Sequence, residues 1–309
     1  MAITAAMVKE LREKSGAGMM DCKKALNETN GNMDEAMEYL RKNGQAKAEK
    51  KAARIAAEGI VKIAVKDNTA AIVEVNSETD FVAKNEKFQT YVGKVAEQVL
   101  VSNAADIDAF MEESWTEDAS KTVKDALVEQ VAVIGENLKI RRFEKVVAEN
   151  GCVVDYIHGG GRIGVIVEAD TTVVNDAVKE AMKNIAMQIA ALNPKYVTRS
   201  EISAEYIAHE KEILLAQIMN DSKESQKPEK VINGMIEGRV NKELKEICLV
   251  DQVYVKAEDG KQTVAKYLEA VSKEAGAPVS VKRFVRFETG EGLEKKNEDF
   301  AAEVAAQMK

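Results

Sequence analysis

At 309 residues the chain is longer than one simple hydrophobic core organises, and its 45% hydrophobic content suffices to bury two or more modules. The balance of 44 basic against 52 acidic residues, a net of -8, disfavours a protein that lives on phosphate backbones, so a nucleic-acid role would need a strong local patch. Cys22, Cys152 and Cys248 lie far apart and form no CxxC pair, which argues against a disulfide scaffold or zinc site and fits a reducing compartment.

The first residues, MAITAAMVKELREK, meet charge too early for a signal peptide. No run reaches the ~18 apolar residues of a membrane span, so a soluble, cytoplasmic chain is expected. Residues 1 to 54 read as three short helices. Val8 and Leu11 mark the first, Ser15 to Gly18 ends it, and Met19 to Glu28 forms the second with Cys22 and Leu26 facing in. Asn32 and Glu35 read as a capping box, Ala36, Met37 and Leu40 as the buried stripe of the third helix, and Gly44 as its stop. Met19 and Met20 beside the glycine turn are either a docking surface or flexible core filler. The basic run Lys42 to Arg54 is interleaved mostly with alanine, not with stacking aromatics, and reads as a solvated helical linker.

Beyond it, Ile60 to Lys66 and Ala70 to Asn76 are β-rich runs joined at Lys66-Asp67-Asn68, a hairpin signal. The stretch Ser77 to Glu86, SETDFVAKNE, follows, with one large ring, Phe81, among polar neighbours. Such a ring on a framed loop either anchors a partner or folds into its own core; pattern alone does not choose. Helical pattern is expected through Ile134, with Trp115 in an acidic helical stretch of no assigned task, and Leu138 to Val147 reads as a closing strand. The plan then repeats. Gly151 to His158 and Ile163 to Ala169 echo the first hairpin, and Thr122-Val123, Leu127, Gly135, Ile140, Arg142 and Phe143 recur at one offset as Thr263-Val264, Leu268, Gly276, Val281, Arg283 and Phe284.

The second copy carries an insertion between Pro194 and Glu246. In it Ile202, Tyr206, His209, Ile213 and Ala216 show coiled-coil spacing, and a return helix bears Ile232, Ile236 and Val240. After the final strand, Thr289 to Gly292 breaks the chain before a short amphipathic helix, Glu298 to Lys309, anchored by Phe300 and Val304. The expected fold class is therefore α+β: a duplicated antiparallel core with a three-helix bundle in front, a helical hairpin inserted and a helix at the C-terminus.

Gly159, Gly161 and Gly164 match GxGxxG, but the run lies between two strands with no helix N-terminus to meet a pyrophosphate, so a hairpin turn is the better reading. His158 opens that turn, as a contact site or as a structurally satisfied histidine, and His209 reads as seam packing. With two histidines far apart and no Walker A, GxSxG, HExxH or CxxC motif, no nucleophile meets a base, and neither a cofactor nor an enzymatic reaction is expected.

KELREKSGAGMMDCKKAL (Lys9 to Leu26), EVNSETDFVAKN (Glu74 to Asn85), IGENLKIRR (Ile134 to Arg142), HGGGRIGV (His158 to Val165) and RFETGEGLEKKNEDFAAEVAAQ (Arg286 to Gln307) together resemble the bacterial translation elongation factor Ts family. The resemblance spans nearly the whole chain. It implies a guanine-nucleotide exchange factor for elongation factor Tu, with no direct contact to nucleic acid or membrane. It also implies a ubiquitin-associated-like (UBA-like) bundle at 1–54 and a first core half at 55–147. A second half would follow at 148–287 with a coiled-coil hairpin at about 194–246, and a helical module at 288–309. By analogy Thr79, Asp80, Phe81 and Val82 wedge into the GTPase and help dislodge its Mg²⁺, with Phe81 as the wedge and Asp80 positioning it. Ile134, Gly135, Glu136, Asn137 and His158 lie against the partner, and the bundle and the C-terminal helix dock on the GTPase domain. A non-catalytic UBA-type adaptor and a nucleotide-dependent enzyme using Gly159 to Gly164 are the competing readings.

Overall fold

The structure, a computed structural model, describes residues 2 to 294. The helix expected at Glu298 to Lys309, with Phe300 and Val304, lies outside the described residues. Helices α1 (Ala5–Ser15), α2 (Met19–Glu28) and α3 (Met33–Lys51) close a small core of Leu11, Cys22, Ala25, Leu26 and Ala36, all fully buried. Thr4 caps α1 by accepting the Met7 N–H at 3.2 Å, and Gly16 ends it at φ 67°, a conformation that costs glycine nothing. Asn32 caps α3 by accepting the N–H groups of Asp34 and Glu35. Glu35 answers the Asn32 side-chain amide at 2.9 Å, where a full capping box would have it answer the backbone.

Strands β1 (Glu58–Lys66) and β2 (Thr69–Ser77) form the expected hairpin, closed by a two-residue turn in which Asp67 takes φ 53°. A single helical turn, α4 (Asp80–Ala83), leads into α5 (Glu86–Val101), then α6 (Ile107–Glu112). The segment around Trp115 is not helical: Ser114–Trp115 (β3) and Asp118–Thr122 (β4) pair as a small hairpin. The buried Gln98 amide on α5 holds that hairpin, donating to the Ser114 carbonyl at 3.2 Å and accepting the Thr116 N–H at 2.8 Å. This leaves the Trp115 ring to cover Tyr91, with centroids 6.1 Å apart. The polar β4 hides a strand from hydrophobic periodicity because it buries almost nothing.

Helix α7 (Val123–Ile134) and β5 (Lys139–Val147) complete the first half, with sheet order β1-β2-β5. Gly44 does not stop α3. It lies buried in mid-helix facing α7, where a Cβ would sit 3.6 Å from the Ala132 Cβ, and α3 runs on through most of the basic segment.

The second half repeats this order with β6 (Cys152–His158), β7 (Ile163–Thr171) and α8 (Asp176–Leu192). An inserted pair follows, α9 (Ala204–Asn220) and α10 (Glu229–Ile247), then α11 (Val264–Ala275) and β8 (Val279–Glu288), with sheet order β6-β7-β8. The two sheets stack face to face. On β2, Ala71, Val73 and Val75 meet α5 through Phe88, Val92 and Val95, while Ala70 and Ile72 turn to the other sheet and meet Val153, Ile166, Val285 and Phe287. A strand buried on both faces reads as an unbroken apolar run.

The turn between β6 and β7 holds Gly159, Gly160 and Gly161 at φ 59°, 67° and 106°. The Gly161 carbonyl accepts the Val61 N–H at 2.7 Å, and a Cβ on Gly164 would lie 2.5 Å from Val61 Cγ1. These glycines bring the halves into contact and leave no helix end for a pyrophosphate.

Helices α9 and α10 run antiparallel, tied by Tyr206 to Glu243 at 2.8 Å and Lys211 to Glu237 at 2.5 Å. The Glu243 hydrogen bond, helped by burial, pushes the Tyr206 phenol up to about 12. The α9 face that meets α10 is Tyr206, Ile207, Leu214 and Ile218; His209 and Ala216 are exposed, as is Ile213. Ile202 and Tyr206 lie on the seam as expected, as do Ile232, Ile236 and Val240 of α10, but beyond Tyr206 the stripe is off by about one residue, because Ile213 and Leu214-Leu215 offer two apolar stripes and the partner helix selects one.

Candidate functional site

A polar knot surrounds the end of β2. Thr79 is extended (φ -129°, ψ 155°) and caps α4 by accepting the Val82 N–H at 3.3 Å. The Thr79 hydroxyl in turn donates to Glu136 Oε1 at 2.7 Å, while Glu136 Oε2 accepts the backbone N–H groups of Glu78 and Thr79, each at 3.1 Å. Glu78 returns the grip: its Oε1 accepts the Asn137 N–H at 2.6 Å and lies 3.4 Å from Arg54. The Asn137 amide donates to the Arg54 carbonyl at 2.8 Å, and the Lys51 ammonium donates to the Gly135 carbonyl. Burial, with the Arg54 charge nearby, holds the Lys51 ammonium below the usual lysine range.

The knot decides where the ring of Phe81 goes. Ala83 is buried and Val82 packs against the core, which turns the next face of α4 outward and leaves Phe81 81% exposed. Of the two readings open in the sequence, the ring does not fold into its own core. A phenyl left in water forgoes roughly 1.5 to 3 kcal/mol of burial, so the fold holds this side chain where it stabilises nothing internal.

Asp80 stands directly before Phe81 at the start of α4. Its carboxylate turns to solvent and pairs with Lys84 at 2.6 Å, and that hydrogen bond holds it below the usual carboxylate range. A carboxylate in the first turn of α4 reaches one turn onward more readily than back to its neighbour.

The structure therefore brings Thr79, Asp80, Phe81 and Val82 together with Gly135, Glu136 and Asn137, while Ile134 packs half-buried on the core below them. Met19 and Met20, 59% and 75% exposed, are surface and not core filler, and line a separate apolar groove with Val8, rimmed by Lys9, Arg12 and Lys23. His158 is exposed on the turn of the second half, its Nδ1 3.0 Å from the Tyr156 hydroxyl. In the sequence Lys51 and Arg54 read only as part of a solvated linker and Glu78 carries no signal; no periodicity marks them as site residues, because their partners are distant in sequence. Among the described residues no cluster of histidine, cysteine or carboxylates is placed to hold a metal, and no helix is long and apolar enough to cross a membrane.

The family model described as Elongation factor TS matches residues 78–291, which include the pinned turn. Curated relatives named Elongation factor Ts are similar over nearly their whole length. The protein of Clostridium novyi (strain NT) is 50% identical over 99% of both chains, and that of Clostridioides difficile (strain 630) is 51% identical over 99% of both. That of Clostridium perfringens (strain 13 / Type A) is 50% identical over 98% of both. Matched through its core and across both termini, the chain belongs to the elongation factor Ts family.

Proposed function

We propose that the chain is a guanine-nucleotide exchange factor that binds elongation factor Tu in its GDP form, loosens the Mg²⁺ of that GTPase and so releases GDP for GTP to replace. The observation that carries this reading is Phe81, a large apolar side chain held out in water by a rigid turn. Exchange needs no reactive centre. The factor must bind the nucleotide-free GTPase more tightly than the loaded one, and by linkage nucleotide then weakens the factor to the same degree. A ring inserted between helices of the partner shifts the oxygen ligands of Mg²⁺, and the phosphates lose their counter-charge.

In this reading residues 1–54 form the UBA-like bundle that docks on the GTPase domain through the Met19 and Met20 groove. The half at 55–147 carries the wedge. The half at 148–287 anchors another domain of the partner, and the hairpin at 194–246 is a coiled coil. Neither membrane nor nucleic acid takes part, and the factor works in the cytoplasm. A non-catalytic adaptor reading would rest on the bundle alone and is not favoured by similarity that runs the length of the chain.

The test is the release of labelled GDP from elongation factor Tu. Phe81→Ala slows factor-stimulated release about 10-fold or more, the size expected for a buried aromatic hot spot, and leaves the thermal midpoint of the free factor unchanged. An unchanged release rate removes the turn from the mechanism.

A further inference from the structure

Glu136 sits beside the Phe81 turn, and the resemblance places it against the partner. Its geometry gives it a task within the chain. Both carboxylate oxygens are occupied from within: Oε2 by the N–H groups of Glu78 and Thr79, Oε1 by the Thr79 hydroxyl at 2.7 Å. The Thr79 hydroxyl donates to Glu136 and at the same time accepts the Val82 N–H at 3.3 Å, so a two-step relay runs from Glu136 through Thr79 into the first turn of α4. Glu136 lies between Gly135 and Asn137, which are themselves tied to the end of α3 through Lys51 and the Arg54 carbonyl. The clamp is therefore braced on the bundle side and grips on the Phe81 side.

We propose that Glu136 is a positioning residue for Phe81, one that fixes the direction of the ring through Thr79 and makes no contact of its own with the partner. This rests on the exchange reading above. Charge-assisted hydrogen bonds to a carboxylate are the strong class, and three of them converge on two consecutive residues. Without them the Thr79 side chain is free to rotate, α4 loses its cap, and an isolated helical turn does not persist in water. The phenyl then gains by folding onto the nearby core, and the partner meets a flexible ring where a fixed one is needed.

The proposal separates from direct contact by how the effects combine. Release of labelled GDP from elongation factor Tu is followed against factor concentration for the full-length wild type, Glu136→Ala, Phe81→Ala and the double variant. Glu136→Ala lowers the maximal release rate about 10-fold, since displacement of an acting group by an ångström is severe, and shifts the half-saturating concentration by no more than about 2-fold. Glu136→Gln, which keeps an acceptor for the Thr79 hydroxyl, falls between the two. The double variant is as slow as Phe81→Ala alone, because a residue that acts only through the ring has nothing left to lose.

Two results overturn the proposal: the same loss from Glu136→Ala in the Phe81→Ala background as in the wild type, or a raised half-saturation at unchanged maximal rate. Should Glu136→Ala fail to fold by circular dichroism, Thr79→Val removes the hydroxyl at constant shape and the same comparison decides. If Phe81→Ala stimulates GDP release like the wild type, the turn leaves the mechanism and the positioning role falls while exchange stands; if the wild type itself does not stimulate release, the exchange reading falls, and both outcomes are distinct from additive losses.

Discussion

The two halves of the core share a frame and differ in what hangs from it. In both, the middle strand carries a buried glutamate at a bulge, Glu74 and Glu168, each answered by a basic pair one strand over, Arg141-Arg142 and Lys282-Arg283. In both, a threonine caps the helix before the last strand and a glycine ends it, Thr122 with Gly135 at φ 88° and Thr263 with Gly276 at φ 70°. The departures are local. Eleven positions separate Glu74 from the capping Asn85 of α5, but seven separate Glu168 from the capping Asn175 of α8, and the surplus equals the 4 residues of α4. The Phe81 turn is thus an added helical turn that the second half lacks. Likewise α7 presents Val128, Ala132 and Val133 where the bundle packs, at the positions that α11 fills with exposed Glu269, Lys273 and Glu274. A duplicated frame supplies rigidity, and the proposed task sits where one copy departs from the other.

The sharpest way to break the comparison is at the paired glutamates. Glu74 is fully buried and accepts from Arg141 at 3.0 Å, Arg142 at 2.6 Å, Asn76 at 3.0 Å and the Gly290 N–H at 2.8 Å, so it joins the halves as well as its own strands. Glu74→Ala strands these donors and costs about 3–5 kcal/mol, read from urea unfolding. Glu168 is as buried, but Lys282 and Arg283 are 50% and 45% exposed and swing to water when it is removed, so Glu168→Ala costs only about 1–2 kcal/mol.

The second pair also has a pH signature. Burial pushes the Glu168 carboxyl up, but its hydrogen bonds to Lys282 and Arg283 outweigh this and leave it below the ordinary 4.5. Its contribution is complete above that ordinary value and drains away as pH falls below it, so Glu168→Gln flattens the acid limb of the stability profile. Equal losses at the two glutamates would show that neither the contacts Glu74 alone makes, to Asn76 and Gly290, nor the exposure of Lys282 and Arg283 sets the two sites apart.

A smaller asymmetry lies where the halves touch. Strand β2 begins its buried run with Ala70 and β7 with Gly164, two residues at matching positions before the shared Ile-Val-Glu. Gly164→Ala makes the strands alike, yet its Cβ would lie 2.5 Å from Val61 Cγ1 and 3.2 Å from Ile72 Cδ1, so it destabilises by about 1–3 kcal/mol. Val61→Ala in the same chain restores part of that loss; no restoration would mean that the strain lies elsewhere than at Val61.

What the sequence disclosed follows the same line. The hairpins, the repeat and the α+β class were legible because period-two runs, turn residues and a fixed offset are local signals. The hairpin at Trp115 was not, since β4 is polar and held by Gln98 of another element. The seam of α9 beyond Tyr206 was misplaced because two apolar stripes compete. The clamp on Thr79 was invisible as a clamp: Glu136 stood in a recognisable motif, but only the folded chain shows that its carboxylate points inward.

The smallest expected effect probes how closely the bundle sits on α7, the contact that α11 lacks among the described residues. A mid-helix glycine usually costs about 0.5–1 kcal/mol against alanine, and the methyl that Gly44→Ala adds would meet Ala132 Cβ at 3.6 Å and Val128 Cγ1 at 3.8 Å, both ordinary contacts. Gly44→Ala therefore stabilises by up to about that amount, seen as a small upward shift in the thermal midpoint. Had Gly44 ended α3, a left-handed backbone would make alanine unfavourable, but the helix passes straight through it. A downward shift would mean that the α3–α7 seam is tighter than these distances allow, and that the bundle is seated on the first half by close backbone approach more than by the apolar face of α7.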